Sequence, residues 1–225
     1  MLIQFKNVTV IRDERSVLQE LACDLSEHRI GILGSNGSGK STLLRLINGL
    51  TLAGTGQVIL DGLEVSRHLS EIRRKVGFIF QNPDNQLVLP VVGEDIDLGL
   101  RRLIADRSAR AQAVRDALSM VACEHLIDRV VHTLSGGEKQ LVALAAVLAT
   151  SPEIILFDEP TTQLDLKNAR RFARMLAELP QPCVVVSHDL ALMQTMDRVL
   201  VIDQGRVVQD GRAMDSVAWY QEHCT

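Results

Sequence analysis

Aromatic residues are scarce in this chain: one Trp, one Tyr and five Phe make up 3% of 225 residues. A surface for single-stranded nucleic acid needs exposed rings on which bases stack, and this composition does not supply them. A basic excess is missing too. The 24 Lys and Arg face 28 Asp and Glu, for a net charge of −4, which gives no footprint for a phosphodiester backbone. Nucleic acid is therefore not an expected partner. The four cysteines, Cys23, Cys123, Cys183 and Cys224, show neither C-x-x-C nor Cys/His ligand spacing. They read as small buried apolar side chains plus a thiol near the C-terminus. Residues 1–20 carry charges throughout and lack the apolar core of a signal peptide. The longest greasy stretch, Leu141–Leu148, is too short to span a bilayer. The expectation is a cytosolic protein whose link to any membrane runs through a partner.

The length suits one large domain or a core with an inserted subdomain. Extended segments are predicted at Leu2–Ile11, Arg29–Leu33, Gln57–Leu60 and Val76–Phe80, and again at Ile154–Phe157, Cys183–Val186 and Val199–Ile202. Several are apolar on both faces, as buried strands of a parallel sheet are. Between about 81 and 150 the pattern turns helical. Val114, Ala117, Leu118 and Val121 make one stripe, and Leu141, Leu144, Ala145 and Leu148 another. A further helix carries Ala169, Phe172, Leu176 and Leu179. The reading is an α/β core, 1–80 with 151–225, interrupted by a helical insertion, 81–150.

Three segments carry chemistry. Gly34-Ser35-Asn36-Gly37-Ser38-Gly39-Lys40-Ser41 matches the phosphate-binding pattern G-x-x-x-x-G-K-S. Its glycines let successive N–H groups aim inward at a polyphosphate, and the helix that follows points its positive end there. Lys40 supplies a cation for the β- and γ-phosphates, and the Ser41 hydroxyl is a Mg²⁺ ligand. Ile154–Glu159 is a buried strand ending in two carboxylates, at the strand end that lines the ligand crevice of a parallel sheet. Asp158 is placed to hold the hydration shell of Mg²⁺. Glu159, one step further out, is placed to accept a proton from an attacking water. In Leu134-Ser135-Gly136-Gly137-Glu138-Lys139-Gln140, Ser135 and Glu138 form a capping box. Two adjacent glycines weaken a helix by up to about 1 kcal/mol each, and they make sense where a large anion must approach bare N-terminal amides.

The set resembles an ATP-binding cassette ATPase. The matching motifs are a Walker A loop at Gly34–Ser41, a Q-loop glutamine at Gln81, the LSGGEKQ signature and a Walker B strand at Ile154–Glu159. Thr161-Thr162-Gln163-Leu164-Asp165 resembles the D-loop, and His188 the switch histidine. The resemblance covers essentially the whole chain. It implies a P-loop NTPase core of RecA type, an N-terminal antiparallel β subdomain and an inserted α-helical signature subdomain. It also implies a dimer with ATP trapped between subunits. Gly37, Gly39, Lys40, Ser41 and Thr42 of one protomer would hold the nucleotide, closed over by Ser135, Gly136, Gly137 and Glu138 of the other. By the same resemblance Glu159 deprotonates water, His188 contacts the γ-phosphate, Gln81 senses Mg²⁺ and Asp165 couples the two sites.

The family usually stacks an aromatic ring on adenine, and Arg12 stands where that ring is expected. A guanidinium can stack by its planar face, so adenine contact and a solvated loop arginine both remain open. No long heptad insertion of the DNA-repair relatives is present, and there is one cassette, not the two of ribosome-associated relatives. Transport is the favoured class. Phe80–Leu87 and Val91–Leu100 are similar to the Q-loop region of energy-coupling-factor ATPases, which work with a transmembrane coupling protein and a small substrate-binding membrane subunit. Leu141–Thr150 and Asp165–Asn168 look most like the biotin-uptake member; cobalt and nickel members are close cousins. The resemblance implies a peripheral position on the cytoplasmic face of the membrane. With every catalytic motif intact, a homodimer is favoured over a heterodimer. Val88–Val92, beside an acidic edge of Glu94, Asp95 and Asp97, are expected to receive an apolar, basic coupling helix or to pack inside the helical subdomain.

Overall fold

The computed structural model describes residues 1–224. They form two compact units. One holds residues 1–78, Glu153–Glu159 and the chain from Pro180 onward; the other holds Ile79–Pro152 and Pro160–Leu179.

The first unit contains both sheets, apart from Ile79 at the end of β6. Strands β1 (Ile3–Arg12), β2 (Arg15–Leu25), β4 (Thr55–Leu60) and β5 (Leu63–Glu64) pair antiparallel in the order β2-β1-β4-β5. Strands β3 (Arg29–Leu33), β6 (Val76–Ile79), β7 (Ile154–Asp158), β8 (Cys183–Val186), β9 (Arg198–Asp203) and β10 (Arg206–Arg212) form the second, in the order β10-β9-β3-β8-β7-β6. There β3 runs parallel to β8 and β9, and β7 parallel to β8. Every residue of β3, β7 and β8 is buried, which is why Ile30–Leu33, Ile154–Phe157 and Cys183–Val186 read as apolar runs. Helix α1 (Lys40–Ile47) turns Leu43, Leu44, Leu46 and Ile47 into the core. Helices α2 (Leu69–Lys75), α7 (Leu190–Met193) and α8 (Ala213–His223) complete this unit.

The second unit is helical: α3 (Val92–Leu100), α4 (Arg107–Met120), α5 (Gly136–Ala149) and α6 (Leu166–Glu178), with short 3₁₀ turns between. Side-chain oxygens cap three of its helices. Asp106 accepts from Ala109 N–H, Asp165 accepts from Asn168 N–H, and Ser135 and Glu138 close the expected capping box. Helix α6, placed with the nucleotide core in the sequence reading, belongs to this unit. Arg171 donates to the Val121 carbonyl at 2.9 Å, and the Gly137 backbone lies against Asn168.

The acidic edge is not what the sequence suggested. Asp95 is buried, and its Oδ1 accepts the N–H groups of Val88 and Leu89, each at 2.7 Å. Asp97 is bonded to Arg110 at 2.8 Å and Arg101 at 3.0 Å, and the Arg110 contact holds its carboxyl below the usual carboxylate range. Of the three, only Glu94 stands open on the surface. Leu87 is buried, whereas Val88 is 69% exposed. Among the described residues, no helix is long and apolar enough to cross a membrane.

Candidate functional site

Strand β3 delivers the chain directly into the phosphate-binding loop, and α1 leaves it. Gly37 has φ +83° with open space where a Cβ would stand, so glycine is there for backbone geometry. Gly39, at φ +109°, would put a Cβ 2.7 Å from the Val17 carbonyl of β2, so the hairpin β1–β2 presses on the loop. Ser35, Asn36 and Gly37 are exposed, while Gly34, Ser38, Gly39 and Lys40 are buried, with Ser41 and Thr42 half-buried.

Lys40 Nζ donates to the carbonyls of Gly34 (2.7 Å) and Ser35 (2.8 Å). Burial pulls its ammonium below the ordinary lysine range, and Glu159 and Asp158 oppose that shift. The Ser41 hydroxyl donates to Asp158 Oδ1 at 2.7 Å. Asp158 is buried, which raises its pKa; the Ser41 bond and Arg45 work against the rise. Arg45, with its Nη2 3.8 Å from Asp158 Oδ2, is a site residue the sequence reading missed. Its signal was present: four residues after Ser41 on a helix, it shares that face.

Glu159 follows directly. Its backbone is left-handed, with φ +51°, and its N–H is held by the Val186 carbonyl at 2.9 Å. Its Oε2 lies 2.7 Å from His188 Nδ1, and the His188 N–H also points to it at 3.4 Å. With the carboxylate ionised, this contact requires the imidazole proton on Nδ1. The carboxylate is nearly buried and the imidazole 61% exposed. One end of the sheet thus brings together Lys40, Ser41, Asp158, Glu159 and His188 within the first unit.

The donor set fits a nucleoside triphosphate with Mg²⁺. Ser38 Oγ is buried without a partner inside the loop, a hydroxyl of the kind a phosphate oxygen would satisfy. Among the described residues, no group of three or more His, Cys, Asp or Glu is gathered for a metal. Mg²⁺ held by one or two protein oxygens plus substrate phosphates needs none.

The remaining expected residues lie elsewhere. Arg12 ends β1, exposed, with its Cα opposite that of Arg15 across the Asp13-Glu14 turn. Gln81 is exposed in the second unit, as is Ser135. The Ser135 hydroxyl and N–H both bind Glu138, at 2.7 and 2.8 Å, and these bonds lower the Glu138 pKa. Gly137 has a packing reason besides any anion: a Cβ there would sit 3.2 Å from the Asn168 side chain. Asp165 is the N-cap of α6.

A phosphate loop opening a helix, with a carboxylate-ended strand beside it, defines a P-loop ATPase. Comparison with known proteins narrows this. The family model for ABC transporter matches residues 18–162, and the chain belongs to that family. It is 44% identical over 222 residues to the biotin transport ATP-binding protein BioM of Rhizobium etli, covering 99% of both chains. It is 38% identical over 207 residues to the energy-coupling factor transporter ATP-binding protein EcfA1 of Ligilactobacillus salivarius, covering 89% of this chain and 73% of that one. Among solved structures, it superposes with TM-score 0.85 and 30% identity on the dimeric ATP-binding cassette MJ0796 in a post-hydrolysis state bound to ADP and Pi, covering 94% of this chain and 98% of that one.

Proposed function

We propose that this chain is the ATPase of an energy-coupling-factor importer for biotin, acting as a homodimer on the cytoplasmic face of the membrane. Its proposed partners are a transmembrane coupling protein and a substrate-binding membrane subunit. The observation that carries the reading is the pair of consecutive carboxylates on β7, Asp158 fastened to Ser41 and Glu159 to His188. The likeness to BioM and EcfA1 supports the transport class, and the likeness to a dimeric cassette supports pairing.

In this reading the amides from Gly37 to Thr42 cradle the triphosphate of ATP, and Lys40 turns from its own loop carbonyls to the β- and γ-phosphates. Ser41 and Asp158 would hold Mg²⁺, which would neutralise phosphate charge and polarise the γ-phosphoryl group, and Gln81 is the residue proposed to sense it. Glu159 orients the attacking water and takes its proton. His188 donates to the γ-phosphate from Nε2–H, which requires a proton on each ring nitrogen while Nδ1 stays on Glu159. Ser135 and Gly137 of the second protomer bring a helix N-terminus onto the same phosphate, stabilisation that exists only in the closed dimer. Arg12 stacks on adenine. Asp165 couples the two sites, and its cap on α6 fixes where it does so. Glu94 and the exposed Val88 face the basic coupling helix of the membrane partner.

Glu159→Gln tests the mechanism. Hydrolysis should fall about 10²–10⁴-fold, the usual loss of a general base, while ATP binding survives and an ATP-bound dimer accumulates on size-exclusion chromatography. A fully active variant refutes the assigned role. Specific activity independent of protein concentration down to vanishing dilution refutes the shared site. Uptake assays with biotin and cobalt, made with co-purifying membrane subunits, decide the solute.

A further inference from the structure

The chain around Gln81 is bolted to the signature helix by side chains that no step of the hydrolysis above uses. Just after Gln81, the Asn82 carboxamide caps a 3₁₀ turn, Pro83–Asn85, by accepting the Asp84 N–H at 3.0 Å. That turn presents Asp84, whose Oδ1 lies 2.6 Å from Lys139 Nζ on the first turn of α5. The lysine side chain is 17% exposed and the aspartate 58%, so the cation is held against the helix while the carboxylate meets solvent, which keeps the pair's own strength modest. A second bolt sits one helical turn on. Gln86 accepts the Phe80 N–H on Oε1 at 3.3 Å and donates from Nε2 to the Ala143 carbonyl at 3.0 Å. Lys139 and Ala143 are four residues apart and share one face of the helix. Phe80 and Asp84 bracket Gln81 on either side.

We infer that Asp84, Lys139 and Gln86 are positioning residues for the signature. They make the Gln81 segment and the N-terminus of α5 one rigid piece, so that a displacement imposed on residues 80–86 moves Ser135 and Gly137 with it. This rests on the reading that the signature N-terminus closes on a nucleotide. The loop–helix pairing itself is geometry within one unit and stands apart from that reading. The chemical logic is leverage. Ser135 sits one turn from Lys139, and catalytic contacts lose roughly 10²-fold for a misplacement of about 1 Å. Without the bolts, the short 3₁₀ turn would yield before the helix did, because its few backbone bonds are weaker than those of an α-helix.

The experiment uses the purified full chain in four variants: Asp84→Asn, Lys139→Met, Lys139→Arg, and the exchange Asp84→Lys with Lys139→Asp. Amide hydrogen exchange at Phe80 and Asp84–Leu87 should quicken about 2- to 5-fold in Asp84→Asn and in Lys139→Met, the range expected for an ion pair whose carboxylate is open to solvent. ATP turnover should show kcat reduced about 10-fold or more with KM unchanged, since the phosphate loop is untouched. The exchanged pair should recover both. Unchanged exchange in those two variants overturns the bolt. Faster exchange with unchanged kcat, or a kcat loss the exchanged pair leaves in place while it restores protection, overturns the positioning role. Lys139→Arg, which keeps the charge, should behave as the wild type in both readouts; a tenfold loss of kcat there also counts against it. The wild-type chain separates the two readings. If it hydrolyses no ATP, the proposed function fails, and the exchange data alone still decide the bolt.

Discussion

Replacing Asp95 by Ala separates a structural carboxylate from a docking one. Asp95 is buried, and one of its oxygens receives two backbone N–H groups, Val88 and Leu89, both at 2.7 Å. Each bond to a charged acceptor contributes about 1.5–3 kcal/mol, and removing the acceptor strands both donors in a partly buried loop. Because one oxygen serves both, the expected loss is about 3 kcal/mol. For a chain of this length that corresponds to a fall in melting temperature of about 6–12 °C. Glu94→Lys, one residue away on an exposed side chain, should stay within about 0.5 kcal/mol. Thermal unfolding gives the totals, and hydrogen exchange at Val88 and Leu89 gives the location. The reasoning is wrong if Asp95→Ala melts within 2 °C of the wild type, or if the exchange of these two amides is unaltered. In a reconstituted transporter the pair inverts: Glu94→Lys should weaken coupling while the stability change stays with Asp95.

Two further outcomes test the site. Asp158 has its pKa raised by burial, so the folded chain holds its proton more tightly than the unfolded one. Stability at this group therefore falls as pH rises above about 4, the ordinary carboxylate value, through the raised pKa; Asp158→Asn, which still accepts from Ser41, should melt higher than the wild type at pH 7, with the gap closing toward pH 4, and an equal or lower melting point at pH 7 would contradict this. Arg12→Ala should weaken ATP and GTP binding alike in a nucleotide-competition assay, and a variant with unchanged affinity for both would leave Arg12 a solvated residue.

The legibility of this fold followed burial. Strands β3, β7 and β8 are covered on both faces and announce themselves as runs of Ile, Leu, Phe and Val. Strand β2, as long as any, went unread: charged and polar residues are scattered through it, and register shifts after Phe5 and Val8 break the alternation that would mark it. Helix α2 is short and ends in Arg73-Arg74-Lys75, with a single buried residue, Ile72, to signal a face. The phosphate loop was legible because its chemistry needs contiguous residues. The Ser41–Asp158 and Glu159–His188 contacts bridge 117 and 29 positions, and only the paired motifs hinted at them. Asp95 misled for a different reason. A carboxylate that serves its own backbone has the same letter as one that faces water, and the turn that captures it forms only in three dimensions.

Glu159 occupies a backbone geometry that glycine adopts freely and that strains a residue with a β-carbon by about 1 kcal/mol or more. Selection for thermal robustness alone would therefore push this position toward the smallest side chain and, on the role proposed for Glu159, erase turnover in the process. Any hardened version of the protein should have this codon held fixed, because here resilience and chemistry pull the chain in opposite directions.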